Sequence, residues 1–185
     1  MADSDNFLRT TARLTQVAEV PDYTFHWWKL RPHPRIGTVE IRALDTQLSP
    51  QHTAALAAAV QSLALHESRC RAVEEPPAEL LDEAVFRAAR EGVAATLPDE
   101  DDRLRPVSEM LERMIEGVRS AAHELGCEHQ LDDLFALLAD GGGAGVQRGT
   151  WRGGDDGIDG VLEALVSRAE PIGEGYSSGT LSDAA

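Results

Sequence analysis

Residues 27–45 read WWKLRPHPRIGTVEIRALD, the most informative stretch of the chain. An aromatic and apolar run ends at Leu30, two prolines and a glycine follow, and the segment TVEIRAL then alternates. Aromatic and β-branched residues favour strands, whereas proline and glycine interrupt them. The pattern predicts two short strands, at about residues 23–30 and 38–44, joined by a turn at residues 31–37.

The second of these strands has a charged face. Side chains alternate between the two sides of an extended chain, so Thr38, Glu40 and Arg42 share one side. A carboxylate is a hard oxygen ligand for Mg²⁺, and the planar guanidinium of arginine matches phosphate. With Arg31 and Arg35 close in sequence, the constellation suits phosphate and divalent-metal chemistry. A solvated strand face with a cross-strand ion pair explains the same spacing equally well.

Composition excludes several classes of protein. The chain has 185 residues, 42% of them hydrophobic, which is enough for one ordinary domain with a core. Its net charge of −15 argues against nucleic acid and against an anionic membrane as partners. The sequence has no apolar run of bilayer-spanning length and no secretory leader, so we expect a cytoplasmic protein.

Nearly all of the basic residues are arginine. Seventeen residues are basic, and Lys29 is the single lysine among them. An acidic, lysine-poor surface keeps proteins soluble at high salt, which suggests a halophilic archaeon as the source. A GC-rich genome that favours arginine codons explains the same bias.

Helix signals and breakers divide the rest of the chain. Ser49 and Pro50 form a strong helix start, and Gly126 is a strong stop.

We expect residues 1–19 to be a polar segment, residues 20–170 a single domain and residues 171–185 a disordered tail. The acidic run at residues 99–102 reads as a solvated loop, and the glycine run at residues 141–145 as a mobile loop. Predicted helices lie at about residues 50–67, 77–97, 106–125, 130–139 and 158–169.

The motif WW-x-x-RPHPR-x-GT-V-E-x-R-x-x-D, followed by an alanine-rich helix, resembles the C-terminal half of the glutamate–cysteine ligase family of carboxylate-amine ligases. The resemblance extends from about residue 20 to residue 168. It implies an α+β fold, in which part of an antiparallel, glutamine-synthetase-like sheet is covered by four to five helices. It also implies ATP-dependent, Mg²⁺-dependent joining of the glutamate γ-carboxyl to an amine, most often that of cysteine, through a γ-glutamyl phosphate.

The same resemblance assigns roles to individual residues. It makes Glu40 a metal ligand, Arg42 a catalytic contact to the transferring phosphate, and Arg31 a further catalytic candidate. The remaining candidates for binding ATP or phosphate are Arg35, Arg90, Gln147 and Arg148. Arg90 lies in a segment similar to the family's W-R-A-x-R-x-G, although phenylalanine replaces the tryptophan. Gln147 and Arg148 fall where the family has Gln-Arg after a Gly-Ala loop.

The sequence differs from the family in one motif, and this difference affects the activity that we expect. The family's N-terminal half has a G-x-E-x-E-like strand, and nothing similar precedes Tyr23. We therefore expect the sequence to be the C-terminal part of a longer or split ligase, inactive without the missing half or a dimer mate. Two other interpretations stay open: a ligase that uses an amine other than cysteine, and a non-catalytic remnant that acts as an interaction module.

Overall fold

A β-hairpin is the centre of the first of two units, Met1–Thr46. In this computed structural model, which describes residues 4–33, 35–70, 76–153 and 157–169, strand β1 (Leu30–His33) pairs antiparallel with β2 (Thr38–Ile41). Gly37 takes a φ of +66° in the turn, a conformation that glycine adopts without strain. Two strands joined by a turn were predicted correctly.

The predicted position of the first strand was wrong. Residues 23–25 form a 3₁₀ helix instead, because the Asp22 side chain accepts a hydrogen bond from the Thr24 backbone N–H at 2.8 Å. Pro32 then lies inside β1, opposite Val39. The Arg42 N–H donates to the Lys29 carbonyl, so the alternation of an antiparallel ladder puts Pro32 at a non-hydrogen-bonded position. Its missing N–H therefore costs no ladder hydrogen bond.

Helix α1 (Ser4–Val17) belongs to the same unit. The Phe7 ring lies edge-on to Trp28, with ring centroids 5.8 Å apart. Thr15 Oγ1 lies 3.0 Å from His26 Nε2. These contacts attach the helix to the segment that enters the hairpin.

The second unit, Gln47–Ala185, is mainly helical. Its first helix, α2, begins as predicted, because the Ser49 side chain caps the His52 N–H at 3.1 Å and Pro50 opens the first turn. The helices of this unit are α2 (Pro50–Arg69), α3 (Ala78–Glu91), α4 (Val107–Glu124), α5 (Glu128–Ala139), α6 (Gly142–Gly153) and α7 (Gly157–Ala169).

Helices α2, α4 and α5 enclose the core of this unit. The small side chains of α2 allow close packing, and the sequence alone predicts that this helix lies flat on the sheet. The alanines do bring α2 close to a neighbour, but that neighbour is the α4–α5 pair. The buried core residues are Ala55, Ala58, Ala59, Ile115, Val118, Ala122, Cys127, Leu131 and Leu134.

A second hairpin replaces the predicted end of helix α3. The helix stops at Glu91, because Gly92 follows with a φ of +61°. Strand β3 (Thr96–Pro98) then pairs antiparallel with β4 (Leu104–Pro106). The helix predicted at residues 77–97 was therefore too long by about a turn and a half.

The described residues form seven α-helices and two two-stranded antiparallel sheets, which confirms the α+β class. The glycine run at 141–145 is not a loop, since α6 begins at Gly142. The predicted tail at residues 171–185 lies outside the described residues. Within the described part of the chain, no helix has the length and apolar character needed to cross a membrane.

Candidate functional site

Strand β2 places Glu40 between two guanidinium groups. Across the hairpin, Arg31 Nε donates to Glu40 Oε2 at 2.9 Å, and Arg31 Nη2 donates to the same oxygen at 2.5 Å. Two residues further along the chain, just past the end of β2, Arg42 Nη1 donates to Glu40 Oε1 at 3.0 Å. The structure therefore brings together the three residues that the sequence placed in one constellation.

The two arginines lower the pKa of Glu40. The hydrogen bond from Arg31 is the largest cause, and the positive charges of Arg31 and Arg42 add to it, while partial desolvation opposes the shift. Glu40 is therefore an ionised carboxylate throughout the neutral range, with about a third of its side chain exposed.

Arg31 is a buried side chain with only 5% of its surface exposed. Besides its bonds to Glu40, its Nη1 donates to the Thr24 carbonyl at 2.6 Å and to the His26 carbonyl at 3.2 Å. The bonds to the two carbonyls fix Arg31 to the segment before β1. The bonds to the carboxylate fix Glu40 to Arg31. The geometry makes Arg31 a residue that positions Glu40.

Arg42 has a more open environment. Its guanidinium carbon lies 5.5 Å from the centre of the Trp27 ring, and a third of the side chain is exposed. A guanidinium over an aromatic face is attracted by the ring quadrupole. Trp27 and Glu40 together hold Arg42, and the exposed third of its side chain leaves the residue open to solvent.

Arg35 lies on the turn between the strands, and its side chain is exposed. Its charge contributes a small part of the lowered pKa of Asp22, whose larger causes are hydrogen bonds from Thr24. The role of Arg35 in anion binding stays a prediction.

The described residues do not form a magnesium site by themselves. Both oxygens of Glu40 accept hydrogen bonds from arginine, and the described parts of the chain contain no cluster of three or more His, Cys, Asp or Glu side chains placed to hold a metal. Mg²⁺ prefers six oxygen ligands in octahedral geometry. An ion bound at Glu40 needs its other ligands from phosphate, water or another protein segment.

The other predicted residues lie in the second unit. Arg90, near the end of α3, pairs with its neighbour Glu91 and lies over the Phe86 ring, 5.1 Å from its centre. More than half of its side chain is exposed. Gln147 and Arg148 lie on α6, where they line a surface groove of about 460 Å³ against α7.

The role of Asp99 was not predicted from the sequence. This residue was assigned to a solvated loop, yet its side chain is fully buried at the tip of the β3–β4 hairpin. Its Oδ1 accepts from the N–H groups of Asp101 and Arg103, both at 2.9 Å, and its Oδ2 pairs with Arg105 and lies 3.6 Å from Arg113 Nη1. The Asp followed by an Arg six residues later was the available signal, but it is too common to be diagnostic.

The comparison with protein families identifies the class. The model of glutamate-cysteine ligase family 2 matches residues 1–155, so the chain belongs to this family. The resemblance in the hairpin motif is thereby confirmed.

Relatives with this family's name match most of the chain. A protein of Rubrobacter xylanophilus named "Putative glutamate–cysteine ligase 2-3" is 38% identical over 148 residues, covering 80% of this chain and 40% of that protein. One from Haloferax volcanii named "Glutamate–cysteine ligase" is 32% identical over 168 residues, covering 89% of this chain and 44% of that protein. The chain thus spans about two fifths of the length of these relatives.

Proposed function

We propose that this chain is the phosphate-binding part of an ATP-dependent glutamate–cysteine ligase. Membership of the ligase family supports the class of reaction. The observation that carries the proposal is the charged face of β2, where Glu40 lies between Arg31 and Arg42 with Arg42 partly exposed. A cytoplasmic location fits an enzyme whose substrates are ATP, glutamate and cysteine.

The reaction needs stabilisation of charge more than covalent participation by the protein. ATP transfers its terminal phosphoryl group to the γ-carboxylate of glutamate, and the amine of cysteine then attacks the acyl phosphate and releases phosphate. In phosphoryl transfer, most of the catalysis comes from positioning the reactants and from neutralising the oxygens of the transferred group. A preorganised guanidinium such as Arg42 supplies both functions.

The contacts of Arg42 explain why its position is defined. Trp27 lies against its guanidinium and Glu40 accepts one of its N–H groups, so the side chain does not have to be ordered when phosphate arrives. Arg31 is assigned to the support of this arrangement, because it is buried and holds Glu40. Glu40 contributes one carboxylate to Mg²⁺ when the remaining ligands come from outside the described residues.

Reconstitution tests the proposal. The chain is mixed with ATP, Mg²⁺, glutamate and cysteine, with and without the part of the Rubrobacter relative that it does not match, and ADP release is measured. We expect release that needs both polypeptides and cysteine. Release with other amines but not with cysteine indicates a different carboxylate-amine ligase. The absence of release in every mixture supports a non-catalytic module and contradicts the proposal.

A matched pair of variants then assigns the activity to Arg42. Arg42→Gln removes the exposed guanidinium, and Arg119→Gln removes an exposed arginine on α4 that pairs with Glu128. Loss of one active-site donor costs roughly 100-fold or more in turnover. We expect a loss of that order for Arg42→Gln and nearly unchanged turnover for Arg119→Gln.

A further inference from the structure

The β1–β2 hairpin has two outer edges, and proline blocks one of them. In an antiparallel ladder, the residues of a non-hydrogen-bonded pair direct their N–H and C=O groups away from the partner strand. Pro32 and Val39 form such a pair, and the register makes Leu30 and Ile41 the next one. On β1, Pro32 interrupts the row of outward donors, and a proline at an edge hinders the addition of a further strand. On β2, both outward residues have an N–H.

The outer edge of β2 is therefore open. Within the described residues, the sheet consists of β1 and β2 alone. The N–H groups of Val39 and Ile41 have no acceptor in the described part of the chain. An unpaired edge of this kind is a template for another extended segment, and main-chain hydrogen bonds provide most of the affinity when a strand is added.

The hairpin face beside this edge is apolar and exposed. Its side chains belong to the two non-hydrogen-bonded pairs, and they lie on the opposite side of the hairpin from Arg31 and Glu40. Leu30 is 59% exposed and Val39 is 60% exposed, whereas the charged Arg31 on the other face is buried. Ile36, in the turn, is 67% exposed. Exposed apolar surface next to an open edge indicates a surface that another polypeptide covers.

Charge favours a partner other than a second copy of this chain. Residues 1–46 contain six acidic and six basic residues, so the net charge of −15 falls on residues 47–185. The neutral hairpin unit repels a polypeptide of neither sign. Two copies joined along β2 would bring two chains of charge −15 together, which opposes self-association at low salt.

We propose that the outer edge of β2 binds an extended segment from the part of a family ligase that this chain does not match. The segment pairs with the main chain at Val39 and Ile41, and its apolar side chains continue the exposed face that includes Leu30. The chain spans 40% and 44% of two relatives, so most of a ligase of this family is available as the partner. The choice of this partner rests on the proposed function, whereas the open edge is independent of it.

Amide hydrogen exchange, followed by NMR on the full chain, tests the edge without any need for turnover. In the chain alone, the N–H groups of Val39 and Ile41 should exchange fast, and the inward N–H groups of Glu40 and Arg42 should exchange slowly. The unmatched part of the Rubrobacter relative is then added. We expect exchange at Val39 and Ile41 to slow at least about tenfold, as the gain of one hydrogen bond implies, while Leu30 on the blocked edge stays fast.

A matched pair of proline variants separates the two edges. Val39→Pro and Leu30→Pro each remove an outward N–H, so neither removes a hydrogen bond of the β1–β2 ladder. Since Pro32 already interrupts the β1 edge, Leu30→Pro should keep the affinity for the partner within a few-fold. Val39→Pro should weaken binding at least about tenfold. Val39→Ala keeps the N–H and should weaken binding less than Val39→Pro. Slow exchange at Glu40 verifies that each variant retains the hairpin.

Three results overturn the docking edge. The first is slow exchange at Val39 and Ile41 in the chain alone at every concentration, which would show that the edge is already covered. The second is slowing that depends on chain concentration and needs no partner, which would assign the edge to a second copy. The third is the absence of binding, or equal binding by Val39→Pro and Leu30→Pro.

The same mixtures distinguish this inference from the proposed function. Slowed exchange at Val39 and Ile41 without ADP release in any mixture retains the docking edge and removes the proposed function. ADP release that reaches half its maximum at the same partner concentration for Val39→Pro and the native chain retains the function and removes the docking edge.

Discussion

Arg31 and Glu40 face each other across the β1–β2 hairpin, and two nitrogens of the Arg31 guanidinium donate to the same oxygen, Oε2, of Glu40. The arginine is buried, and the glutamate is partly exposed. The pair therefore connects the interior of the first unit to its charged surface.

This pair makes the ionisation of Glu40 sensitive to Arg31. In the native chain the pKa of Glu40 lies below its ordinary 4.5, mainly because of the hydrogen bond from Arg31. We expect Arg31→Gln to raise that pKa towards 4.5 or above and to lower the unfolding midpoint, since two backbone carbonyls also lose their donor. NMR titration of the Glu40 side-chain carbonyl measures the shift.

Arg35→Gln is the matched control for this measurement, because Arg35 is an exposed arginine on the same hairpin. It should leave the titration of Glu40 nearly unchanged. Identical titration curves for Arg31→Gln and the native chain would contradict the assignment of the shift to Arg31.

Asp99 should control stability in acid. Hydrogen bonds from Arg105 and from the N–H groups of Arg103 and Asp101 hold its pKa far below the ordinary 3.8. A depressed carboxyl pKa stabilises the folded state above the unfolded value, and that contribution is lost as the pH falls from about 4 towards the folded pKa. We expect Asp99→Asn to lower the unfolding free energy at pH 7 and to reduce the further loss below pH 4.

The neighbouring residue Asp102 provides the control. It has a φ of +59°, a conformation that asparagine tolerates well, and its side chain is exposed. Urea unfolding at pH 7 and pH 3 should show little effect of Asp102→Asn. An equal response of the two variants would show that the Asp99 network does not stabilise the hairpin.

Two glycines of α6 should respond to alanine in opposite directions. A Cβ at Gly145 would lie 2.6 Å from the Asp140 carbonyl oxygen, whereas a Cβ at Gly149 meets open space. Gly145→Ala should destabilise by roughly 1–3 kcal/mol, as overpacking does. Gly149→Ala should stabilise by about 0.5–1 kcal/mol, because it lowers the entropy of the unfolded chain and favours the helix. Thermal unfolding of both variants measures the difference, and destabilisation by both would show that α6 does not approach Asp140 in this way.

Salt should stabilise the chain as a whole. A net charge of −15 produces self-repulsion in the folded state, and salt screens it over a distance that falls from about 30 Å at 0.01 M to about 3 Å at 1 M. We expect the urea midpoint to rise between low salt and molar KCl. A constant or falling midpoint would remove the support for a salt-adapted surface.

The sequence determined the local elements of the chain. Residues 38–41 alternate, so they specify a strand with Thr38 and Glu40 on one side, and Gly37 specifies the turn. Ser49 and Pro50 specify the start of α2 through a cap that needs only neighbouring residues. Signals of this kind act within one turn of helix or one hairpin, so the local structure can be predicted from the sequence alone.

Tertiary structure decided which groups meet. The burial of Arg31 depends on the carbonyls of Thr24 and His26, and the burial of Asp99 depends on Arg105 and on the N–H groups of its own loop. The same sequence patterns are compatible with exposed ion pairs, because charge and spacing do not fix solvent exposure. Likewise the alanines of α2 permit close packing on any partner, and only the folded chain selects α4 and α5. Local patterns fix conformation, but the choice of partner depends on burial, and burial is a property of the assembled fold.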